Sequence, residues 1–388
     1  MRRMAPALVA GTVLLAACSA ATDETPTPAA DAAAPSNPTT TAAAAPSPTV
    51  SPTTSPSGSA ATSTSPSDPG TLTMAFAGDI HFEDYLAPLA RDPQGLAELQ
   101  STLGAADLAM ANLETAITER GTKIGKEFHF RAPASALETV KGAGIDAVSM
   151  ANNHGVDYGP VGLQDTLAAK RTSPIPIVGI GADEDEAFAP AVLRAKGLRV
   201  AVFGVDQVWE MTLARYAAGP GKGGVASSTP PTRIESAVRA AAKKYDLVVV
   251  FLHWGTDYQK CPDTLSTQTA QVLERAGADI IVGGHSHRVN GAGWLGRAYV
   301  DYGLGNFVWW RSKEPDSRSG VLTLSVDVAA AKQAKRSAGS VVTSARWTPM
   351  LIGADGIPRQ PGPADSARLL ALWNDSRPCT GLTAEPTE

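Results

Sequence analysis

Asp279-Ile280-Ile281-Val282-Gly283-Gly284-His285-Ser286-His287 is a short apolar run closed by two glycines and a His-x-His pair. The run is brief and rich in β-branched residues, so it reads as a buried strand. The glycines permit a tight turn and a close backbone approach where the strand ends. On an extended chain, residues i and i+2 share a face. His285 and His287 can therefore aim two ring nitrogens into one cavity.

The pattern recurs upstream. Residues 71–77, 106–111, 145–150, 198–205 and 247–252 are further apolar runs of strand length. Helical patterns at 88–103, 135–143, 162–170, 232–244 and 264–276 separate the six runs. Continuous apolar strands alternating with helices indicate an α/β fold whose sheet is covered on both faces. The last third differs. Residues 297–302, 307–310, 320–328 and 341–352 read as strands with little helix between them, which predicts an antiparallel section. A closing helix is expected at 364–373.

Five of the strands end in residue types that bind metals. Asp79 and His81 follow the first, and Asn112 and Glu114 the second, both as i, i+2 pairs. Asn152-Asn153-His154 follows the third, and His253-Trp254-Gly255 precedes the helix at 264–276. Of the six histidines in the chain, only His129 lies outside these motifs. Singly, each is explained by a turn, a helix cap or a hydrogen-bonded structural histidine. Together, at strand ends where α/β sheets bind ligands, they point to one shared site. The donors are imidazole, carboxylate and amide oxygen, with no thiolate. That set suits Mn, Fe or Zn rather than a structural zinc site. The donors are too many for one ion. Two divalent transition-metal ions ~3.5–4 Å apart fit better, and such a pair activates water and clamps a tetrahedral transition state.

The flanks carry different information. Arg2 and Arg3 precede an apolar run at 5–17, shorter than the ~20 residues of a membrane span. Leu15-Ala16-Ala17-Cys18 resembles a bacterial lipobox. Cys18 is then the lipidation site, residues 1–18 are the leader, and the chain is anchored on the outer face of the cell membrane. A plain secretory signal is the alternative. Residues 19–70 are almost entirely Ala, Pro, Ser and Thr, with four acidic residues and no Lys, Arg or aromatic. Such a stretch cannot offset its chain entropy by burial, which predicts a disordered stalk. One folded domain is expected over residues 71–388. The chain has 33 Lys+Arg against 38 Asp+Glu, a net charge of −5, which excludes a generally basic nucleic-acid binder. Cys261 and Cys379 remain as an even pair. In an exported protein that suggests one disulfide, two buried thiols being the alternative.

The ordered motifs Gly78-Asp79-x-His81, Asn112-Leu113-Glu114, Asn152-Asn153-His154, His253-Trp254-Gly255 and Gly284-His285-x-His287 resemble the CapA, or poly-γ-glutamate capsule-synthesis, family. Gly303-Leu304-Gly305-Asn306-Phe307-Val308 adds a sixth motif of that family. The resemblance spans residues 71–382 and places the chain in the calcineurin-like metallophosphoesterase superfamily. It implies a four-layer α-β-β-α sandwich with a dinuclear metal centre. Carried over residue by residue, Asp79, His81 and His287 would bind the first ion. Asn153, His253 and His285 would bind the second. Glu114 would bridge them, where the superfamily usually has an Asp. His154 would be the acid that protonates a leaving group, the alternative being an anion holder or a loop-structuring residue. Asn306 would hydrogen-bond a ligand or only shape its turn. Arg131, Arg288 and Arg311 could each hold a substrate carboxylate, solvated surface charge being the alternative.

The resemblance implies a cell-surface, metal-dependent hydrolase or transferase acting on an anionic amide-linked polymer or wall component. Two other readings remain at this stage. One is an extracellular metallophosphoesterase, against which the Asn-Leu-Glu departure argues. The other is a non-catalytic polymer-binding scaffold, against which the intact ligand set argues.

Overall fold

The computed structural model describes residues 69–333 and 339–386. The leader with Cys18, and residues 19–68 of the expected stalk, lie outside the described residues. The first section contains β1 (Thr71–Ile80), β2 (Leu108–Leu113), α1 (Ala136–Gly142), β3 (Ala147–Ser149), α2 (Gly159–Thr172) and β4 (Ile177–Val178). The second contains β5 (Ala191–Ala195), β6 (Leu198–Asp206), α3 (Thr232–Ala241), β7 (Leu247–Trp254), α4 (Thr264–Ala276) and β8 (Ile280–His285). Then follow β9 (Ala292–Leu295), β10 (Ala298–Asp301), β11 (Asn306–Val308), β12 (Arg318–Asp327), β13 (Val342–Ile352), β14 (Pro358–Arg359) and α5 (Pro363–Asn374).

These strands build two main sheets. The larger has the order β14-β13-β12-β1-β2-β3-β4, with β11 also paired to β1. Its β1-to-β4 part is parallel, and β12 to β14 add antiparallel strands, as the last third of the sequence predicts. The second sheet has the order β9-β10-β8-β7-β6-β5, parallel at its centre and antiparallel at both edges.

Alternation along each strand fixes the layers. Leu72, Met74 and Phe76 of β1 share one apolar core with Leu247, Val249 and Phe251 of β7. The opposite face of β1, at Ala75 and Ala77, packs with Leu137 and Val140 of α1 and Leu163 and Leu167 of α2. The opposite face of β7, at Val248, Val250 and Leu252, packs with Ile234 and Val238 of α3 and Ala270 and Leu273 of α4. The result is the four-layer α-β-β-α sandwich. Burying each large aliphatic side chain contributes about 1.5–3 kcal/mol, so these three cores supply most of the driving force.

Local chemistry sets the boundaries. Asp263 caps α4 by accepting the Ser266 N–H, and Gly277 ends it with φ 105°. The region 88–103 is not one helix: it breaks into short turns and a helix at Gln100–Leu103. Pro93 is the cause, because it forces Asp92 into an extended conformation. The disulfide joins Cys261 to Cys379, tying the loop after β7 to the turn after α5. No helix among the described residues is long and apolar enough to cross a membrane.

Asp301, at the end of β10, is fully buried. One carboxyl oxygen accepts the Gly303 N–H at 2.9 Å, and the other has no partner among the described residues. Burial pushes this carboxyl up to about 8. The folded chain therefore keeps a proton that the unfolded chain has lost, and stability falls as pH rises from about 4 to about 8. Asp301→Asn should remove this loss, at most about 1.4 kcal/mol per pH unit. Denaturant melts at several pH values should show the variant's advantage growing up to about pH 8 and constant above it. An advantage independent of pH would contradict the assignment.

Candidate metal centre

Strand register brings the ligand-bearing ends together. β1 and β2 place Asp79 opposite Asn112. β7 and β8 place His253 opposite Gly284 and Trp254 opposite His285. Asp79 is fully buried and joins the two sheets. Its Oδ1 accepts from Asn112 Nδ2 at 2.8 Å, and its Oδ2 accepts the His285 backbone N–H at 3.0 Å. Only glycine fits at 284, because a Cβ there would stand 2.3 Å from Asp79 Oδ1. His285 and His287 hold φ of 87° and 51°, a region that residues with side chains seldom adopt. Such strain persists where the surroundings over-determine it, and it concentrates at functional sites.

Two groups of donor atoms result. Asp79, Glu114 and His253 bring one atom each within 4.8 Å of the others, and Asp257, His285 and His287 do the same. The resemblance sets Asp79 with His81 and His287, and Asp79 Oδ2 also lies 3.7 Å from His287 Nδ1. Asn112 ties Asp79 to the first group. Its Nδ2 lies 2.8 Å from Asp79 Oδ1, 3.2 Å from His253 Nδ1 and 3.4 Å from Glu114 Oε2. A relay sets the amide: the His154 N–H donates to Asn152 Oδ1, and Asn152 Nδ2 donates to Asn112 Oδ1. Asn153 Oδ1 lies 3.0 Å from His253 Nε2, at the margin of the first group. His81 stands apart. It accepts the Glu83 N–H at Nδ1, stacks on Phe130 at 4.4 Å and meets the Trp309 and Trp310 rings edge-on.

The donors fit divalent ions. Glu114 Oε1 and His285 Nδ1 are buried without a hydrogen-bond partner among the described residues, as is His81 Nε2, which lies outside both groups. Leaving such atoms unpaired costs about 1–3 kcal/mol each. Burial pushes the Asp79 carboxyl up to about 6 and Glu114 well above the carboxylate range. Burial also lowers His81, His154 and His253 well below the usual imidazole value, and His285 and His287 to about 4. Neutral imidazole is the ligating form, and a dication would return two crowded carboxyls to their charged form. Asp79, Glu114 and His253, with Asn153 beside them, suit one ion. His285, His287 and Asp257 suit a second.

His154 stands over this cluster. Its Nδ1 lies 2.6 Å from Asp157 Oδ2, and its Nε2 lies 3.7 Å from Glu114 Oε1. Lys126 Nζ lies 2.7 Å from Asp157 Oδ1 and donates to the Asn153 carbonyl at 2.6 Å. Phe130 sits between the two outlying histidines, stacked on His154 at 4.0 Å and on His81 at 4.4 Å. His154, Asn153, Asp257, His285 and His287 open on a cavity of about 320 Å³ whose lining also includes Lys126, Phe130, Trp309, Trp310 and Arg311.

The remaining candidates divide. Asn306 and Arg311 line the cavity, but Asn306 is committed to position His287, with its Oδ1 2.8 Å from His287 Nδ1. Arg131 and Arg288 do not line it. Phe130 and Arg131 are neighbours on extended chain, so the position that sends Phe130 inward sends Arg131 away, over the Tyr158 ring at 4.8 Å. Arg288 is drawn off by Asp316 at 2.7 Å. Sequence reasoning missed Asp257, Lys126 and Asp157. Only Asp157 carried a signal, three residues after His154 on the same turn.

The family model described as "Bacterial capsule synthesis protein PGA_cap" matches residues 73–309. The "PGA biosynthesis protein CapA" of Bacillus subtilis (strain 168) is 28% identical over 253 residues, covering 63% of this chain and 66% of that protein. The "Capsule biosynthesis protein CapA" of Bacillus anthracis is 32% identical over 199 residues, covering 50% and 48%. The chain thus matches about half to two thirds of the length of these relatives. Among solved structures, a 5'-nucleotidase from Candida albicans SC5314 aligns with TM-score 0.39 at 11% identity, covering 79% of this chain and 58% of that one.

Gly284→Ala would push the Asp79 carboxylate out of place while keeping every proposed ligand. It should leave the far-UV circular dichroism unchanged and weaken metal retention about tenfold or more. Retention equal to that of the unaltered chain would contradict a ligand role for Asp79.

Proposed function

The chain belongs to the family of bacterial capsule synthesis proteins, and on that premise we propose that it is a metal-dependent hydrolase or transferase of an anionic, amide-linked surface polymer. One observation carries the reading: buried carboxylates and neutral imidazoles converge beside a cavity of about 320 Å³ lined by His154, whose Nδ1 lies 2.6 Å from the buried Asp157. Asp79, Glu114, His253, Asp257, His285 and His287 would hold two divalent ions, whose chemistry when bound would be Lewis acidity toward a scissile carbonyl and easier ionisation of water.

The side chains do the rest. Asp157 holds the Nδ1 proton of His154, which leaves the Nε2 lone pair facing the cluster. His154, neutral at pH 7 because burial and Lys126 oppose its charge, takes a proton from the attacking water or acceptor group at Nε2. It returns that proton to the leaving nitrogen as the amide bond breaks. Lys126 and Arg311 are the cations of the cavity, paired with Asp157 and Asp316, and Glu127, Glu210 and Asp257 also line it, so attraction for substrate carboxylates would come from the bound dications. On sequence alone, the reading includes a lipid anchor at Cys18 and a tether over residues 19–70, which hold the domain outside the cell membrane.

The purified chain, loaded in turn with Mn, Fe and Zn, should shorten or transfer poly-γ-glutamate, read as new amine ends. His154→Ala should reduce that rate by about 100-fold or more while keeping the bound metal. Turnover of an aryl phosphodiester with none of the amide polymer would overturn the reading in favour of a phosphoesterase.

A further inference from the structure

Beside the metal cavity lies a second one of about 190 Å³, and Tyr258 lines both. Tyr258 is held as a partition. Its backbone φ is 62°, the Arg288 and Arg311 guanidinium groups lie 4.9 and 5.8 Å from its ring, and Arg311 donates to its hydroxyl at 3.2 Å.

The second cavity has a basic rim. Its charged lining residues are Lys260, Arg288 and Arg318, all cations. Asp316 and Glu314 pair with the two arginines, whereas Lys260 is exposed and makes no ion pair with the described residues. The floor is apolar: Trp347 and Trp373 stack at 5.7 Å, with Leu369 and Leu372 beside them. The Trp373 indole N–H is buried and donates to nothing among the described residues. It has no surface open to the pocket, so the cation left free for a ligand there, among the described residues, is Lys260. The disulfide frames the pocket, since Cys261 follows Lys260 on one rim and Cys379 follows Ser376 on the other.

We infer that this pocket is a subsite for a carboxylate-bearing unit of the polymer chain, adjacent to the unit whose bond is worked at the metal centre. The carboxylate meets Lys260, and the methylenes of the unit cover the indole and leucine floor. Cations over an apolar base complement a short aliphatic segment ending in a carboxylate. The inference rests on the polymer reading above, and its test separates the two.

The full chain, labelled with 15N at its indoles, is titrated with glutarate and separately with an oligo-γ-glutamate. Trp373→Phe assigns the resonance. Both probes should move the Trp373 indole N–H signal, and Lys260→Glu should weaken each about tenfold without changing metal content. A response to glutarate but not to the oligomer would overturn the chain subsite together with the polymer reading. No response to either probe, or an unchanged affinity in Lys260→Glu, would overturn the pocket. The polymer reading would then rest on whether the oligomer binds elsewhere on the chain.

Discussion

A carboxylate with no exposed surface clasps the two sheets where their strands end. Asp79 belongs to the larger sheet, and it accepts hydrogen bonds from Asn112 of that sheet and from the His285 backbone of the other. Charge-assisted bonds of this kind are about twice as strong as neutral ones. Two of them do not fully offset the loss of water, and the rise of the carboxyl to about 6 expresses the deficit. Much else at the site follows from this one buried group. Gly284 must lack a side chain, and the donor atoms of Glu114 and His253 gather around the amide that holds Asp79. The site is a costly polar seam between apolar layers, and those layers supply the stability that keeps it closed.

The sequence and the fold agree where one physical signal dominates. Continuous apolar runs marked the central strands of both sheets, because strands buried on both faces leave no room for polar alternation. The Gly-His-x-His motif marked two histidines of one donor group, although both hold positive φ rather than the extended backbone that the spacing argument assumes. Edge strands were harder. β5 alternates buried and exposed residues and joins β6 through the tight Lys196-Gly197 turn, so no apolar run announced it. The interrupted segment near Pro93 kept a helical pattern without a helix, because backbone sterics override side-chain periodicity.

The site was legible as a list of residues and not as a geometry. Asp257 and Lys126 come from loops, and nothing local marks an exposed Asp or a Lys as pointing inward. Arg131 carried the right chemistry on the wrong face, one residue from Phe130. The second cavity shows the same limit. Lys260, Arg288 and Arg318 are far apart or separately paired along the chain, and only the disulfide and the packing of α5 bring them to one rim. A domain of near-neutral charge can thus concentrate cations beside its chemistry without announcing them in its composition.

Metal content measures the central claim most directly. The purified chain, loaded with Mn, Fe or Zn and then dialysed, is compared by elemental analysis with Glu114→Ala, with circular dichroism confirming that both are folded. The account predicts about two transition-metal ions per chain, falling to one or fewer in the variant. No retained ion in the unaltered chain, or equal retention in both proteins, would contradict it.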